Sequence, residues 1–404
     1  MYDVFFLIGA VLILGFITSM LFERTKIPDI ILLMFTGMLL GPILKIVSIE
    51  GPISTLAPYI GTLALIIILF DGGLNLNLIK VLTSLAKASG FTVLVFSLTV
   101  VFLGIVMNLI FGWKYIDGLL LGAVVGGTSS AIVIPIISKL TMKEDSKVLL
   151  SLESALTDAL CVVVTIALIE IISLGTVNIR DTAGSIASAF STAAVIAVVF
   201  AVFWIGILNK LYIKQVGYSL TLAVVFILYS IVELVRSNGA IAVLVFALLL
   251  SNFGDITQRL KIKGEFKLDT TLRAFQVEVS FFVRTFIFIF TGLMFNLEAL
   301  NNTALIMAFV VFMIILLTRT VGVKVLIMND KNMSQSERSM ISMMPRGLAA
   351  AVLASMPLAA GIEIPYFIEI VFSIIILTNL ATTIGVFAIE RKIAISTRNQ
   401  KGIT

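Results

Sequence analysis

Long apolar runs follow one another along almost the whole chain, each closed by a short polar or glycine-containing segment. A helix needs roughly 20 apolar residues to cross a bilayer. On that measure the pattern predicts about thirteen helices, over residues 4–22, 29–48, 57–83, 88–111, 116–138, 146–174, 184–211, 217–235, 238–252, 270–295, 301–328, 337–360 and 364–390. The predicted fold class is an all-α polytopic membrane protein. The first run, Val4 to Phe22, carries Asp3 instead of a basic segment before it and has no small-residue cleavage site before Glu23. It therefore reads as a membrane helix and not as a signal peptide.

Three runs are interrupted. The third carries Asp71-Gly72-Gly73, read as a polar break; the fifth carries Gly126-Gly127-Thr128-Ser129-Ser130; the twelfth carries Pro345-Arg346-Gly347. Glycine, proline, hydroxyls and charge at membrane depth are costly unless they line a site. The fifth and twelfth runs lie seven apart, an odd offset. A six-helix unit in the second half of the chain therefore runs inverted relative to one in the first, with the seventh run as connector. Two inverted repeats with paired broken helices are a sequence pointer to the ion site of a secondary transporter. No residue-level identity between the halves supports the repeat; it rests on hydropathy and breaks alone.

Charge orients the predicted helices. With the N-terminus outside, 21 Lys and Arg fall in the cytoplasmic connections and C-terminal tail and four (Lys45, Lys114, Arg180, Arg236) fall outside, the remaining three of the 28 being Arg284, Arg319 and Arg346 at membrane depth. That asymmetry is what the positive-inside rule requires of a correct topology. It also accounts for the net charge of +5 by lipid headgroups and orientation, without a nucleic-acid partner. The expected location is the cell membrane, with the C-terminus cytoplasmic. The chain is 60% hydrophobic and 13% charged with a mean hydropathy of +1.16, whereas a soluble domain is about 25% charged. The single Cys161 excludes an internal disulfide and a cysteine zinc site. The absence of histidine excludes an ordinary hydrolase triad and leaves proton exchange near neutral pH to carboxylates, or to a lysine. There is no P-loop for an ATP-driven pump. No cofactor is expected.

The polar residues inside the apolar runs are the candidates for chemistry. Thr128 and Ser129 lie near the middle of their run, close to the bilayer centre. The two glycines before them permit unwinding, which frees carbonyls for a cation, and the hydroxyls of Thr128, Ser129 and Ser130 can add ligands. Small residues also suit close helix packing in membranes. In the sixth run Asp158 sits near the middle, where an ionised carboxylate is rarely tolerated without purpose. Ser154 lies four residues earlier on the same helical face, and Glu153 and Thr157 form the adjacent i, i+4 pair. A carboxylate that holds a proton or a cation, but not both, is sufficient for antiport. Arg319, in the eleventh run, is paired with Glu153 in this reading, which leaves Asp158 as the exchanging charge. Arg346 either balances half-helix ends or pairs with Asp71. Glu278 and Arg284 share the tenth run and read as structural, and Glu170, Glu233 and Glu369 read as interfacial.

These residues resemble those of the monovalent cation:proton antiporter (CPA) superfamily, close to its archaeal and bacterial NhaP-type sodium/proton antiporters. The likeness spans essentially the whole chain. Its most specific part is the spacing from Thr128 to Glu153-Ser154 and Asp158; Phe70-Asp71-Gly72-Gly73-Leu74 is similar to an acidic-Gly-Gly-Leu stretch, Met344-Pro345-Arg346-Gly347 to an arginine-glycine break, and Arg319 to an arginine that pairs with the glutamate. The resemblance implies a sodium site at Thr128, Glu153, Ser154 and Asp158, with Ser129 and Thr157 beside it and Arg319, Arg346 and Asp71 as structural or pH-modulating residues. It implies a homodimer in which residues 88–175 and 299–392 form a moving core and residues 1–87 and 214–298 a dimerising scaffold. Residues 176–213 are then the connector and 393–404 a cytoplasmic tail.

Two departures bear on selectivity and stoichiometry. Thr128-Ser129-Ser130 stands where the family usually has Thr-Asp-Pro, and Thr157-Asp158 where it has Asn-Asp. The serines look more like the potassium-efflux branch, whereas a lone Asp158 resembles the electroneutral pattern of one cation for one proton. Electroneutral exchange of sodium, with lithium or potassium as other cargo, is the leading expectation. Potassium/proton exchange, a sodium-coupled organic-substrate symporter and a passive channel are the alternatives.

Overall fold

Every regular element is helical in the computed structural model, which describes residues 2–25, 29–46, 52–75, 78–140, 142–174, 179–210, 217–259, 270–293, 295 and 302–401. In chain order the α-helices are α1 (Tyr2–Thr25), α2 (Asp29–Met38), α3 (Pro52–Asn75), α4 (Leu78–Phe111), α5 (Tyr115–Val125), α6 (Ser130–Lys139), α7 (Glu144–Leu174) and α8 (Ile179–Lys210). They continue with α9 (Gly217–Leu234), α10 (Gly239–Arg259), α11 (Thr270–Leu293), α12 (Asn302–Asn329), α13 (Glu337–Ser342), α14 (Leu348–Leu353), α15 (Met356–Ala359) and α16 (Phe367–Lys401). Among the described residues, six stretches are long and apolar enough to cross a membrane: 88–111, 144–173, 188–208, 275–293, 302–329 and 367–389. Of the basic residues used to orient the chain, Lys26, Lys214, Lys261, Lys263 and Lys267 lie outside the described residues, as do positions 47–48, 76–77, 211, 294 and 301 of the predicted runs.

The fifth predicted run is two half-helices, α5 and α6, separated at Gly126–Ser129, and the twelfth is α13, an extended segment over 343–347, and α14–α15. The third run differs from expectation. Residues 71–73 are not a break: α3 runs unbroken through them to Asn75. Gly73 is there for packing. A Cβ on it would lie 2.6 Å from Ala247 Cβ and 2.9 Å from the Leu244 carbonyl oxygen of α10, and Ser251 Oγ donates to Gly73 O at 3.2 Å. α3 ends eight residues before the predicted end at 83, and α4 begins at Leu78, ten residues ahead of the predicted start at 88. The second run also changes character: at Leu39–Ile43 it widens into a π-turn around Pro42, which has no N–H to give to an α-helical bond. The last helix continues past the predicted end at 390 to Lys401.

The helices fall into two compact units. The first comprises Met1–Thr55, Ala86–Thr165 and Thr285–Thr404, and the second Leu56–Leu85 and Ile166–Arg284. In the first, α16 packs along α12 and α13 and also meets α5 and α14. In the second, α10 packs on α8 and α9, and Trp204 Nε1 donates to Thr221 Oγ1 at 3.0 Å between α8 and α9. Small residues set the closest crossings, as expected where lipid supplies no hydrophobic drive between helices. Within the first unit α2 meets α11 at Gly37 and Gly292, where a Cβ on either would overlap a backbone carbonyl oxygen of the other helix. On the face of α5 that meets α4, Gly118 lies against Gly104 and Gly122 against the Val100 backbone.

Gly292→Ala should lower the thermal unfolding midpoint of the purified protein in detergent, because the facing atom is backbone and cannot rotate away. Gly206→Ala, whose Cβ would meet nothing within 4 Å, should leave the midpoint unchanged or raise it by the ~0.5–1 kcal/mol that separates Ala from Gly in a helix. Equal effects at the two positions would refute this account of the crossing.

Candidate functional site

Glycine places the first break. A Cβ on Gly127 would lie 2.6 Å from Cys161 Sγ and 2.9 Å from Thr157 Cβ, so only glycine lets the unwound segment lie directly on α7. Unwinding removes helical bonds, and α7 supplies replacements. The Thr128 N–H donates to Thr157 Oγ1 at 3.1 Å, and the Thr157 hydroxyl has two acceptors in reach, Thr128 O at 3.2 Å and Ser154 O at 3.1 Å. Thr157, grouped with the cation ligands on sequence, is thus occupied with the backbone of the break.

One residue on, Asp158 reaches the start of α6. Its Oδ2 accepts from the Ser130 hydroxyl at 2.6 Å and from the Ser130 N–H at 3.1 Å. Ser130 is the first residue of α6, so the carboxylate sits at the positive end of a half-helix and satisfies one of its orphan donors. Ser129 is turned elsewhere. Its N–H donates to Pro345 O at 2.9 Å, and its side chain packs against Gly347, where a Cβ would overlap Ser129 Oγ. The two breaks are therefore joined backbone to backbone. Ser154 is fully buried and donates to Ser151 O at 3.1 Å within its own helix.

Glu153 and Arg319 are 1% and 2% exposed and form an ion pair through Glu153 Oε1 and Arg319 Nη1. Arg319 Nε donates to Met340 O at 3.0 Å, and its guanidinium carbon stands 5.2 Å from the centre of the Phe91 ring. The Thr128 hydroxyl donates weakly to Glu153 Oε1 at 3.5 Å, linking the pair to the first break. Glu153 Oε2 and Arg319 Nη2 are buried and take no hydrogen bond.

Arg346 belongs to the second break and serves the first. Its Nε donates to Val125 O at 2.5 Å and Nη2 to Gly126 O at 3.4 Å, the carbonyls that end α5; Nη1 donates to Met344 O at 3.1 Å. The sequence left two roles open for Arg346. These contacts put its charge on a half-helix end; Asp71 lies half-buried on α3 in the second unit. The main chain of Arg346 is held by α16, its N–H by Thr378 Oγ1 at 3.1 Å and its carbonyl by Asn379 Nδ2 at 2.7 Å. Sequence reasoning missed Thr378 and Asn379. An amide and a hydroxyl side by side in the middle of the last apolar run were the available signal.

The first unit thus brings together Thr128, Ser129, Glu153, Ser154, Thr157, Asp158, Arg319 and Arg346. Negative charge faces the N-terminal end of one half-helix and positive charge the C-terminal end of the other. The acid at the first of these ends, Asp158, is bonded to a hydroxyl and an amide.

A family description, sodium/hydrogen exchanger, transmembrane, matches residues 9–392. The probable Na+/H+ antiporter 2 of Methanocaldococcus jannaschii is 28% identical over 359 residues, 85% of this chain and 81% of that protein. The Na+/H+ antiporter 1 of the same organism is 26% identical over 371 residues, 88% of this chain and 83% of that protein. The K+/H+ antiporter NhaP of Alkalimonas amylolytica is 29% identical over 169 residues, 41% of this chain and 29% of that protein. The solved structure of the sodium proton antiporter MjNhaP1 from M. jannaschii at pH 8 superposes with a TM-score of 0.77 over 93% of this chain and 97% of that one, at 23% identity, so the fold is shared.

Arg319→Ala leaves Glu153 buried and uncompensated and should destabilise the protein by about 3–5 kcal/mol, whereas Glu153→Leu combined with Arg319→Met should recover most of that loss. Unfolding of both variants in detergent checks it. A double variant no more stable than Arg319→Ala would show that the pair stabilises the fold beyond cancelling its own charges.

Proposed function

The chain belongs to the sodium/hydrogen exchanger family, and we propose that, as the cation/proton antiporter this makes it, it exchanges sodium for protons one for one. Lithium is the alternative cargo. The observation that carries the reading is Asp158, held at the head of α6 by both the hydroxyl and the N–H of Ser130. A cation arriving at Asp158 finds the Ser154 and Thr128 oxygens and the Glu153 carboxylate on the neighbouring turns of the same unit. Binding neutralises the aspartate, and a proton bound in its place does the same. An empty, charged site should not cross, because carrying an uncompensated charge through the apolar barrier costs several kcal/mol. That prohibition couples the two fluxes.

The ion pair supports electroneutrality. Glu153 is matched by Arg319, so the charge that changes during a cycle is that of Asp158 alone. Among the described residues, the six long apolar stretches are accompanied by seven shorter apolar helices, which supports thirteen crossings; in this reading they form two inverted six-helix units. In this reading the breaks carry the site in a core of residues 88–175 and 299–392. The core alternates its access against a dimerising scaffold of residues 1–87 and 214–298 in the cell membrane. The N-terminus is outside and the C-terminus cytoplasmic.

A second reading, potassium/proton exchange, is favoured by one feature. Ser129 and Ser130 are neutral, and a site with fewer carboxylates holds a weakly hydrated cation at less cost in ligand repulsion. The partial likeness to K+/H+ antiporters points the same way.

The test is flux in proteoliposomes under an imposed pH gradient, with sodium, lithium or potassium added singly and the membrane potential clamped or left free. Sodium- or lithium-dependent proton flux that ignores the potential and disappears in Asp158→Asn is the expected result. Potassium-only flux selects the second reading, and full coupled exchange in Asp158→Asn overturns both. Because proton and cation compete for one carboxylate, the half-saturating cation concentration should rise about tenfold per pH unit on the acid side of the site's titration.

A further inference from the structure

We propose that Thr378 and Asn379 are positioning residues for exchange: they clamp the Arg346 backbone so that its guanidinium stays on the end of α5. The role in exchange rests on the reading of Asp158 given above; the clamp itself does not. Arg346 lies in the extended segment over 343–347, and its main-chain N–H and carbonyl are both taken by adjacent residues of α16. Thr378 Oγ1 accepts from the Arg346 N–H at 3.1 Å while donating to Ile374 O at 2.7 Å. Asn379 Nδ2 gives its two hydrogens to carbonyls, Arg346 O at 2.7 Å and Ile375 O at 2.7 Å. One side chain supplies an acceptor and the next a donor, which is what pinning one residue through both its N–H and its carbonyl requires.

The amide is kept at a cost. Asn379 is fully buried, and its Oδ1 takes no hydrogen bond. A buried acceptor left unsatisfied is destabilising, and buried polar groups are otherwise almost always partnered. An apolar residue would fill the same place against Ile375 without that cost, so packing alone does not explain an asparagine. Only the donor function does, and its target is the Arg346 carbonyl. With the main chain fixed, the guanidinium reaches Val125 O and Gly126 O. Residue 126 leads directly into Gly127 and Thr128, and Ser130 follows on Asp158. The position of the site's hydroxyls is thus set in part from α16.

The experiment compares the wild type with Asn379→Ala, Thr378→Val and Thr378→Ser. Backbone amide hydrogen exchange over residues 126–130 and 343–347 in detergent is read first, because it does not depend on transport. Exchange there should speed up at least about tenfold in Asn379→Ala and Thr378→Val, as expected for loss of one buried hydrogen bond, and stay at the wild-type rate in Thr378→Ser. In proteoliposomes the half-saturating cation concentration of the first two variants should rise about tenfold with the maximal rate within about twofold, and Thr378→Ser should restore it. Asn379→Asp adds a pH signature. An ionised carboxylate would face two carbonyl oxygens, and only its protonated form can donate, so its flux should approach the wild type as the pH falls while that of Asn379→Ala does not. Unchanged exchange over both segments in Asn379→Ala overturns the clamp. Faster exchange with an unchanged half-saturating concentration overturns its role in the site. If Asn379→Ala does not fold, the valine and serine variants of Thr378, which differ chiefly in the hydroxyl, decide alone. A wild type without flux would fail the Asp158 reading, and the hydrogen-exchange arm would still test the clamp.

Discussion

Everything at the site depends on how the two broken helices satisfy their ends. In a bilayer, water is not there to take up freed backbone groups, so each must be met from within the protein. Interrupting one helix at Gly126–Ser129 and another at 343–347 exposes four such ends. The solution is reciprocal. The carbonyls ending α5 receive Arg346 from the other break, the amide starting α6 receives Asp158 from α7, and the breaks bond to each other through the Ser129 N–H and Pro345 O. Each charged side chain meets the half-helix end of opposite sign. Neither break would be tolerable without the other, which is why they occur together.

This arrangement separates two carboxylates that look equivalent on paper. Glu153 and Asp158 lie five residues apart on α7, and both fall at membrane depth. Glu153 is fully buried and bonded to an arginine that is itself held by Met340 O and stands over Phe91. Asp158 is half-buried and bonded to a hydroxyl and an amide, neither of which carries a formal charge. One acid is paired with a full positive charge; the hydroxyl and the amide on the other are dipoles, which tolerate replacement by a proton or a cation more readily than an ion pair does.

The sequence revealed the breaks because glycine, proline and charge inside apolar runs have few explanations in a membrane. Gly126-Gly127 and Pro345-Arg346-Gly347 were legible for that reason, and so was Asp158. Asp71-Gly72-Gly73 carried the same composition and is continuous helix, because Gly73 answers a packing demand from α10 that composition cannot distinguish from unwinding. Ranking the three hydroxyls at 128–130 was likewise beyond the sequence. Which one meets Asp158 depends on the direction in which the chain leaves the break, and that is fixed by the bond from Ser129 to a residue more than two hundred positions away. Thr378 and Asn379 were missed because a hydroxyl and an amide in a long apolar helix are compatible with packing. Only the position of Arg346 gives them a role.

The bond between Asp158 and Ser130 also constrains what exchange at this carboxylate can mean. Oδ2 already accepts two hydrogen bonds, so a cation must either share that oxygen or bind through the other. A proton on Asp158 would weaken it as an acceptor for Ser130, and a cation drawing on the same oxygen would do so too. In the exchange cycle proposed here both ligands therefore act on the first turn of α6 in the same sense, by weakening its cap. The empty, ionised site is the state in which that cap is strongest. The state that must not cross the membrane is then also the one in which α6 is held most firmly to α7, both of them within the proposed core.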